Sequence, residues 1–403
     1  MIIAIHHVRL INGKGQAIEP ATVIVRHAKV HAAGLSRMIA TPPRATRVNG
    51  RGLTLLPGLI DCHVHLCLGA EPDVVKTLEK ETPAETLLKA AESARRTLAA
   101  GVTTVRDVGS RDHSIFSLKQ AIDKGLTPGP RIVGAGLAIC MIGGHARFIG
   151  QEVEGCEQVR KIVREQIEAG AEVIKVIASG GVLTEGTSPD QAQLTLEELR
   201  SAVEEAAQAG RKVAAHSHGS SGMKNAIRAG VHSIEHATLM DAEAAALMLS
   251  HGVYMVPTLS ALATTAACRR GCGIPDSVLE KAKAMTKRHQ SSFRQAHHRG
   301  VLIAMGTDAG TPFNQHGDNA QELERMVALG MSPMEAIIAS TSAAAQLIGI
   351  DDQVGTIEQG KQADLLLVDG NPLRKIDLLP DRSRIVGVMK AGRFVAGPLS
   401  QSD

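Results

Sequence analysis

Near the start of the chain, Asp61-Cys62-His63-Val64-His65 sets two imidazoles two positions apart. In an extended strand, residues i and i+2 leave the backbone on the same face. Neutral imidazoles paired in this way suit a borderline divalent cation such as zinc. Taken alone, the pair also suits two partly exposed histidines in any strand. Other segments carry chemistry of the same kind. VIKVIASG sets Lys175 among apolar neighbours, where an unpaired ammonium is costly. Such a lysine needs a carboxylate partner or a change of charge. A neutral amine with carbon dioxide gives an anionic carbamate, able to bridge two cations. His216-Ser217-His218 repeats the i, i+2 pattern, and Glu235-His236 follows. Thr307-Asp308-Ala309-Gly310 ends an apolar LIAMG run. A carboxylate there calls for a metal or for a proton in transit.

These residues need elements that bring them to one place. From Pro57 to about Gly349, short β-branched runs alternate with longer amphipathic stretches. The strand candidates are GLIDCHVHL, TTVRDVG, RIVGAG, EVIKVIASG, KVAAHSHG, SIEHATL, VYMVPTL and LIAMGTDAG. Helical stretches such as PAETLLKAAESARRTLAAG and TLEELRSAVEEAAQAG lie between them. In the second, Thr195 and Glu198 have capping-box spacing, and Gly210 is a stop. Eight strands, each followed by a helix, make an α/β fold of the (β/α)8 TIM-barrel type. A doubly wound open sheet is the competing architecture. The barrel is preferred because the polar residues fall at strand ends, where barrel sites form.

Both ends of the chain read differently. IIAIHHVRLI, ATVIVRHAKVHAAG, ADLLLVDG and IVGVMKAGRFV are strand-like runs bounded by turn residues. Residues 1–56 with 352–403 are expected to form one small β-sandwich, and residues 57–351 the barrel.

Composition sets broad limits. Apolar residues are 44% of the 403, and charged residues 21%, as in ordinary globular proteins. With five Phe, one Tyr and no Trp, the core must be aliphatic. The formal charge of +3 is too small to argue for nucleic acid or an anionic membrane as partner. The first ten residues read as a strand and not as a signal peptide, and no run is apolar enough to span a bilayer. The six cysteines are read as separate thiols, in keeping with a reducing, cytoplasmic setting. Cys268 and Cys272 lack the second ligand pair that a structural zinc would need.

With these segments in view, the chain resembles the amidohydrolase superfamily along essentially its whole length. LLPGLIDCHVH, leading into the barrel, and VGTIEQGKQADLLLVDG, leading out, carry the broad resemblance. Gly143-Gly144-His145, VIKVIASGG, VAAHSHG, IEHAT and GTDAGTP resemble its prolidase-like branch. That branch holds Xaa-Pro dipeptidases and ochratoxin-type amide hydrolases.

The resemblance implies two divalent ions, zinc by preference. His63, His65 and Asp308 would hold the more buried one, and His216 and His236 the more exposed one. Lys175, N-carboxylated, would bridge them together with a hydroxide. His218 would face substrate, because His216 holds the family's ligand position. His145 would polarise the scissile carbonyl or hold substrate, and Asp308 would move the proton. Arg147 and His316 are further pocket candidates.

The implied reaction is hydrolysis of dipeptides, Xaa-Pro or with another apolar C-terminal residue, or of N-acyl amino acids. Barrels of this kind commonly associate, so a homo-oligomer is expected. A deaminase, a cyclic-amide hydrolase or a lactonase of the same superfamily is the alternative, with Lys175 counting against the mononuclear members. A non-catalytic scaffold and a phosphate-binding aldolase barrel are the more distant ones.

Overall fold

The computed structural model describes residues 1–401; residues 402 and 403, at the end of the expected terminal sheet segment, lie outside the described residues. Seven regular strand positions of a parallel barrel are present. Strand one is Leu59–Val64, strand two Val102–Asp107, strand four Val173–Ile177 and strand five Lys212–Ser217. Strand six is Ser233–His236 and strand seven Tyr254–Val256. Strand three comes in two pieces, Arg131–Gly134 and Ala138–Met141. The first piece pairs with strand two and the second with strand four, both parallel.

The eighth position departs from expectation. Residues 302–310 form no continuous strand but make isolated parallel bridges, Ile303 to Met255 and Ala309 to Val64. The reason lies in the backbone. Asp308 has φ +60, which breaks the pleat. Closure is still complete in hydrogen bonds: Cys62 N donates to Met305 O, and Ala304 N to Met255 O. Gly306 permits this approach, since a Cβ there would press on Val256 and His63. Asp61 adds a buried tie, accepting from Thr307 N at 3.1 Å, Thr307 Oγ1 at 2.6 Å and Asn319 Nδ2 at 2.7 Å.

Helices follow each strand and cover the barrel. The helix Leu196–Gln208 begins at Thr195, with the capping box to Glu198 formed as expected. Ile60, Cys62, Val133, Val173, Ala214, Val256 and Ala304 pack into one apolar cluster. Lys175 and His216 lie two residues beyond Val173 and Ala214, so they leave their strands on the cluster's side, one layer nearer the strand ends.

The chain ends meet in one eight-stranded mixed sheet that joins Ile2–Ile11 to Leu365–Asp369 through Leu53–Pro57. Its alternation divides the apolar residues. Leu55, Leu365 and Leu367 join the sheet's own core, while Leu56, Leu366 and Val368 join the barrel's. No helix of the described residues is long and apolar enough to cross a membrane.

The reading of six separate thiols is corrected at one pair, because Cys268 and Cys272 form a disulfide. Cys268 ends the helix Leu259–Ala267, and the turn after it brings the two Cα atoms to 6.4 Å, within bridging range.

Candidate metal centre

Two groups of three donors converge at the C-terminal ends of the strands. His63, His65 and Asp308 form one; His216, His218 and His236 form the other. Within each group the ligand atoms lie within 4.8 Å of one another. Asp308 Oδ1 is 3.4 Å from His63 Nε2 and 3.3 Å from His65 Nε2. Lys175, from strand four, lines the same cavity as all six.

Each imidazole is gripped on one nitrogen by its surroundings. His63 Nδ1 is 2.7 Å from Glu235 Oε2, and His65 Nδ1 is 2.8 Å from Gly109 O. His236 Nδ1 is 2.7 Å from Thr258 Oγ1, and His218 Nδ1 is 2.8 Å from Thr238 Oγ1. His216 is turned the other way: its Nε2 is 3.3 Å from Gly180 O and its Nδ1 2.8 Å from His236 Nε2. Such partners set tautomer and ring direction; in His216 and His236 the remaining nitrogens face each other, at the place a shared ligand would take. His236 at φ +72, Thr258 at +52 and Asp308 at +60 are non-glycine residues in the left-handed region, a form of backbone strain that gathers at functional sites.

Burial gives the three histidines on strands five and six a neutral character. It drives the pKa values of His216, His218 and His236 well below the usual imidazole value, and neighbouring positive charge lowers them further. Neutral imidazole is the ligand form. Burial raises the Asp308 carboxyl, its electrostatic and hydrogen-bond contacts with His63 and His65 lower it, and the net effect is a strong lowering. Burial also lowers Lys175 to about 8. Its buried Nζ has no hydrogen-bond partner among the described residues. The donor set, imidazoles with one carboxylate and an orphaned amine in the same cavity, therefore fits divalent cations.

Several contributors were missed in the sequence. Arg106 is among the largest fully buried side chains. It donates to Cys62 O, to Ser233 Oγ at 3.1 Å and to Glu235 Oε1 at 2.8 Å. Burial raises the Glu235 carboxyl, but Arg106 and the His63 hydrogen bond bring it down to about 2. Glu235 is thus an anion set behind His63. An arginine inside the strand run TTVRDVG was the available signal. His289, on the helix Asp276–Arg299, also lines the cavity and lies 3.0 Å from His236 O.

The other candidates fall as follows. His145 is buried in the cavity wall with its ring centroid 4.5 Å from that of His216. His218 stands inside the second donor group, its ring stacked on His236 at 4.7 Å. His316 does not line the cavity; its Nε2 is 3.0 Å from Leu68 O, bracing the chain after strand one. Arg147 lies outside too, in a neighbouring vestibule that shares Phe148 and Leu183 with the cavity. The cavity is partly open to solvent. Its remaining walls are mostly apolar, with Leu68, Ile149, Ile177, Val182, Leu183 and Leu262 among them, and three threonines, Thr258, Thr265 and Thr311.

Comparison with known proteins agrees with this geometry. A model described as the amidohydrolase family matches residues 54–395. Ochratoxinase from Aspergillus niger is 31% identical over 420 residues, covering 96% of this chain and 85% of that protein. The crystal structure of a Xaa-Pro dipeptidase with bound methionine is 36% identical, with a TM-score of 0.92, covering 98% of this chain and 100% of the other. A prolidase complexed with N-methylphosphonate-L-proline is 29% identical with a TM-score of 0.92, covering 98% and 99%. The chain therefore belongs to the amidohydrolase family and is a hydrolase of amide or peptide bonds.

Proposed function

We propose that this hydrolase cleaves dipeptides ending in proline or another apolar residue, or N-acyl amino acids, with two divalent cations, zinc by preference. The observation that carries the reading is that both donor groups line one cavity with an orphaned, buried Lys175. His63, His65 and Asp308 would hold one cation and His216 with His236 the other, with Lys175 between them as a carbamate. Bound there, the cations would supply a hydroxide at neutral pH and polarise the scissile carbonyl.

The chain's own groups do the rest. Asp308 takes the proton from the attacking nucleophile on its carboxylate and passes it to the leaving nitrogen, as general base and then general acid. His145 donates a hydrogen bond to the substrate, and His218 faces it beside His236. The apolar walls exclude water and seat an uncharged side chain on either side of the scissile bond. The barrel segment, 57–351, carries this chemistry, and the terminal sheet, 1–56 with 352–403, supports it. The ochratoxinase and prolidase relatives support the choice of substrate class.

The test is a library of dipeptides and N-acyl amino acids, varied at the C-terminal residue and assayed with zinc-loaded protein. Preference for an apolar C-terminal residue is expected. Cleavage of lactones or cyclic amides alone would overturn the reading.

A further inference from the structure

The loop after strand four packs over His145 and is itself held by the helix that packs against it. Lys281, on the helix Asp276–Arg299, donates its Nζ to three carbonyls of that loop: Gly181 O at 3.4 Å, Thr184 O at 3.1 Å and Thr187 O at 2.8 Å. The Thr187 hydroxyl crosses the loop's interior, 3.0 Å from Thr184 O and 3.3 Å from Gly181 O. Thr184 then reaches the site. Its buried Oγ1 is 2.9 Å from His145 Nδ1 and accepts from Ala146 N at 3.2 Å.

The bonding at Thr184 favours one tautomer of the ring. A backbone N–H can only donate, so the Ala146 contact uses a lone pair of the hydroxyl. Among the described residues, the hydroxyl's own hydrogen then has one acceptor, His145 Nδ1. With Nδ1 accepting, a neutral ring carries its proton on Nε2. Gly181 lies against that nitrogen, and a Cβ at position 181 would overlap it.

We propose that Thr184 and Lys281 are positioning residues for His145: Thr184 holds the ring as its Nε2–H tautomer, and Lys281 holds the loop that carries Thr184. The ring thereby presents a fixed donor to a substrate oxygen. The catalytic part of this rests on the substrate-facing role given to His145 above. The tautomer does not.

The experiment compares Thr184→Val, Thr184→Ser, Lys281→Met and His145→Asn, with Thr184→Val also placed in the His145→Asn background. Hydrolysis of Ala-Pro and of N-acetyl-methionine is measured with zinc-loaded protein. The His145 tautomer is read from the ¹⁵N spectrum of histidine-labelled enzyme, assigned by the signal lost in His145→Asn. Thr184→Val should lower kcat/KM roughly 10- to 100-fold, with Thr184→Ser close to the parent. Lys281→Met should fall in the same direction. Thr184→Val should add no further loss once His145 is gone, whereas a merely structural role would add its loss in both backgrounds. The parent spectrum should show His145 protonated on Nε2, with that bias lost in Thr184→Val.

Full activity in Thr184→Val beside an impaired His145→Asn would overturn the positioning claim and leave the role of His145 intact. Full activity in His145→Asn would instead overturn that role. The tautomer alone then decides, as it does if neither substrate is cleaved, and a parent ring protonated on Nδ1 refutes the proposal.

Discussion

Glu235 Oε2 lies 2.7 Å from His63 Nδ1 with both side chains essentially inaccessible to solvent. Its other oxygen takes Arg106 at 2.8 Å. A carboxylate behind a ligand imidazole fixes the ring and raises its basicity. Glu235→Gln keeps the shape and removes the charge. Metal affinity and kcat/KM should both fall roughly 10- to 100-fold, read by competition with a chelating dye and by steady-state kinetics. The variant should also lose about 3 kcal/mol or more of unfolding free energy, because Arg106 keeps a buried charge without its partner. Parent-like metal affinity would remove Glu235 from the account.

Lys175 gives a second prediction. A buried amine lowered to about 8 is neutral often enough near neutral pH to add carbon dioxide. Lys175→Ala should lose most of its bound metal and nearly all activity, read by plasma emission analysis of dialysed protein. Full metal content would exclude a bridging role.

The cavity wall sets a third. Phe148 and Leu183 divide the cavity from the outer vestibule. Phe148→Ala or Leu183→Ala removes apolar contact without touching the donors. For substrates with apolar ends KM should rise roughly tenfold at nearly constant kcat, equivalent to about 1.4 kcal/mol of lost contact. A fall in kcat alone would place these residues in the reacting centre instead.

Glu322 supplies a pH prediction away from the metal donors. It accepts from Leu259 N at 2.7 Å and Ser260 N at 2.8 Å, at the start of the helix that follows strand seven. Burial raises its carboxyl from 4.5 to about 7, against those hydrogen bonds. Its contribution to stability is complete below pH 4.5, where both states hold the proton. The contribution falls as the unfolded chain ionises first, and is lost by about pH 7. Unfolding in urea across pH 4.5 to 8 should show Glu322→Gln gaining on the parent as pH rises, then levelling above 7. A constant difference between the two proteins would refute the shift.

Much of this was legible in the order of residues. The i, i+2 pair His63 and His65 does lie on one face, with ring centroids 5.4 Å apart. Lys175, His216, His236 and Asp308 reach the same cavity because each sits at or near a strand end, and the barrel collects those ends. The capping box at Thr195 shows the same directness, since three residues of sequence contain all of its chemistry. The groups that hold the imidazoles were hidden for the opposite reason. Glu235 lies 172 positions from His63, and Arg106 129 from Glu235, so only the closed barrel makes them neighbours. Strand eight misled because LIAMG is apolar and strand-like, while the left-handed turn at Asp308 depends on its bonds to strand one. The Cys268–Cys272 bridge depends on a turn that no period announces.

The central claim is that two divalent ions, held by these side chains, are required for amide hydrolysis. Protein stripped with chelator, verified metal-free, and titrated with zinc while dipeptide cleavage is followed tests it most directly. Activity should be absent at the start and reach its plateau at two equivalents per chain. Full turnover by the stripped protein would contradict the account.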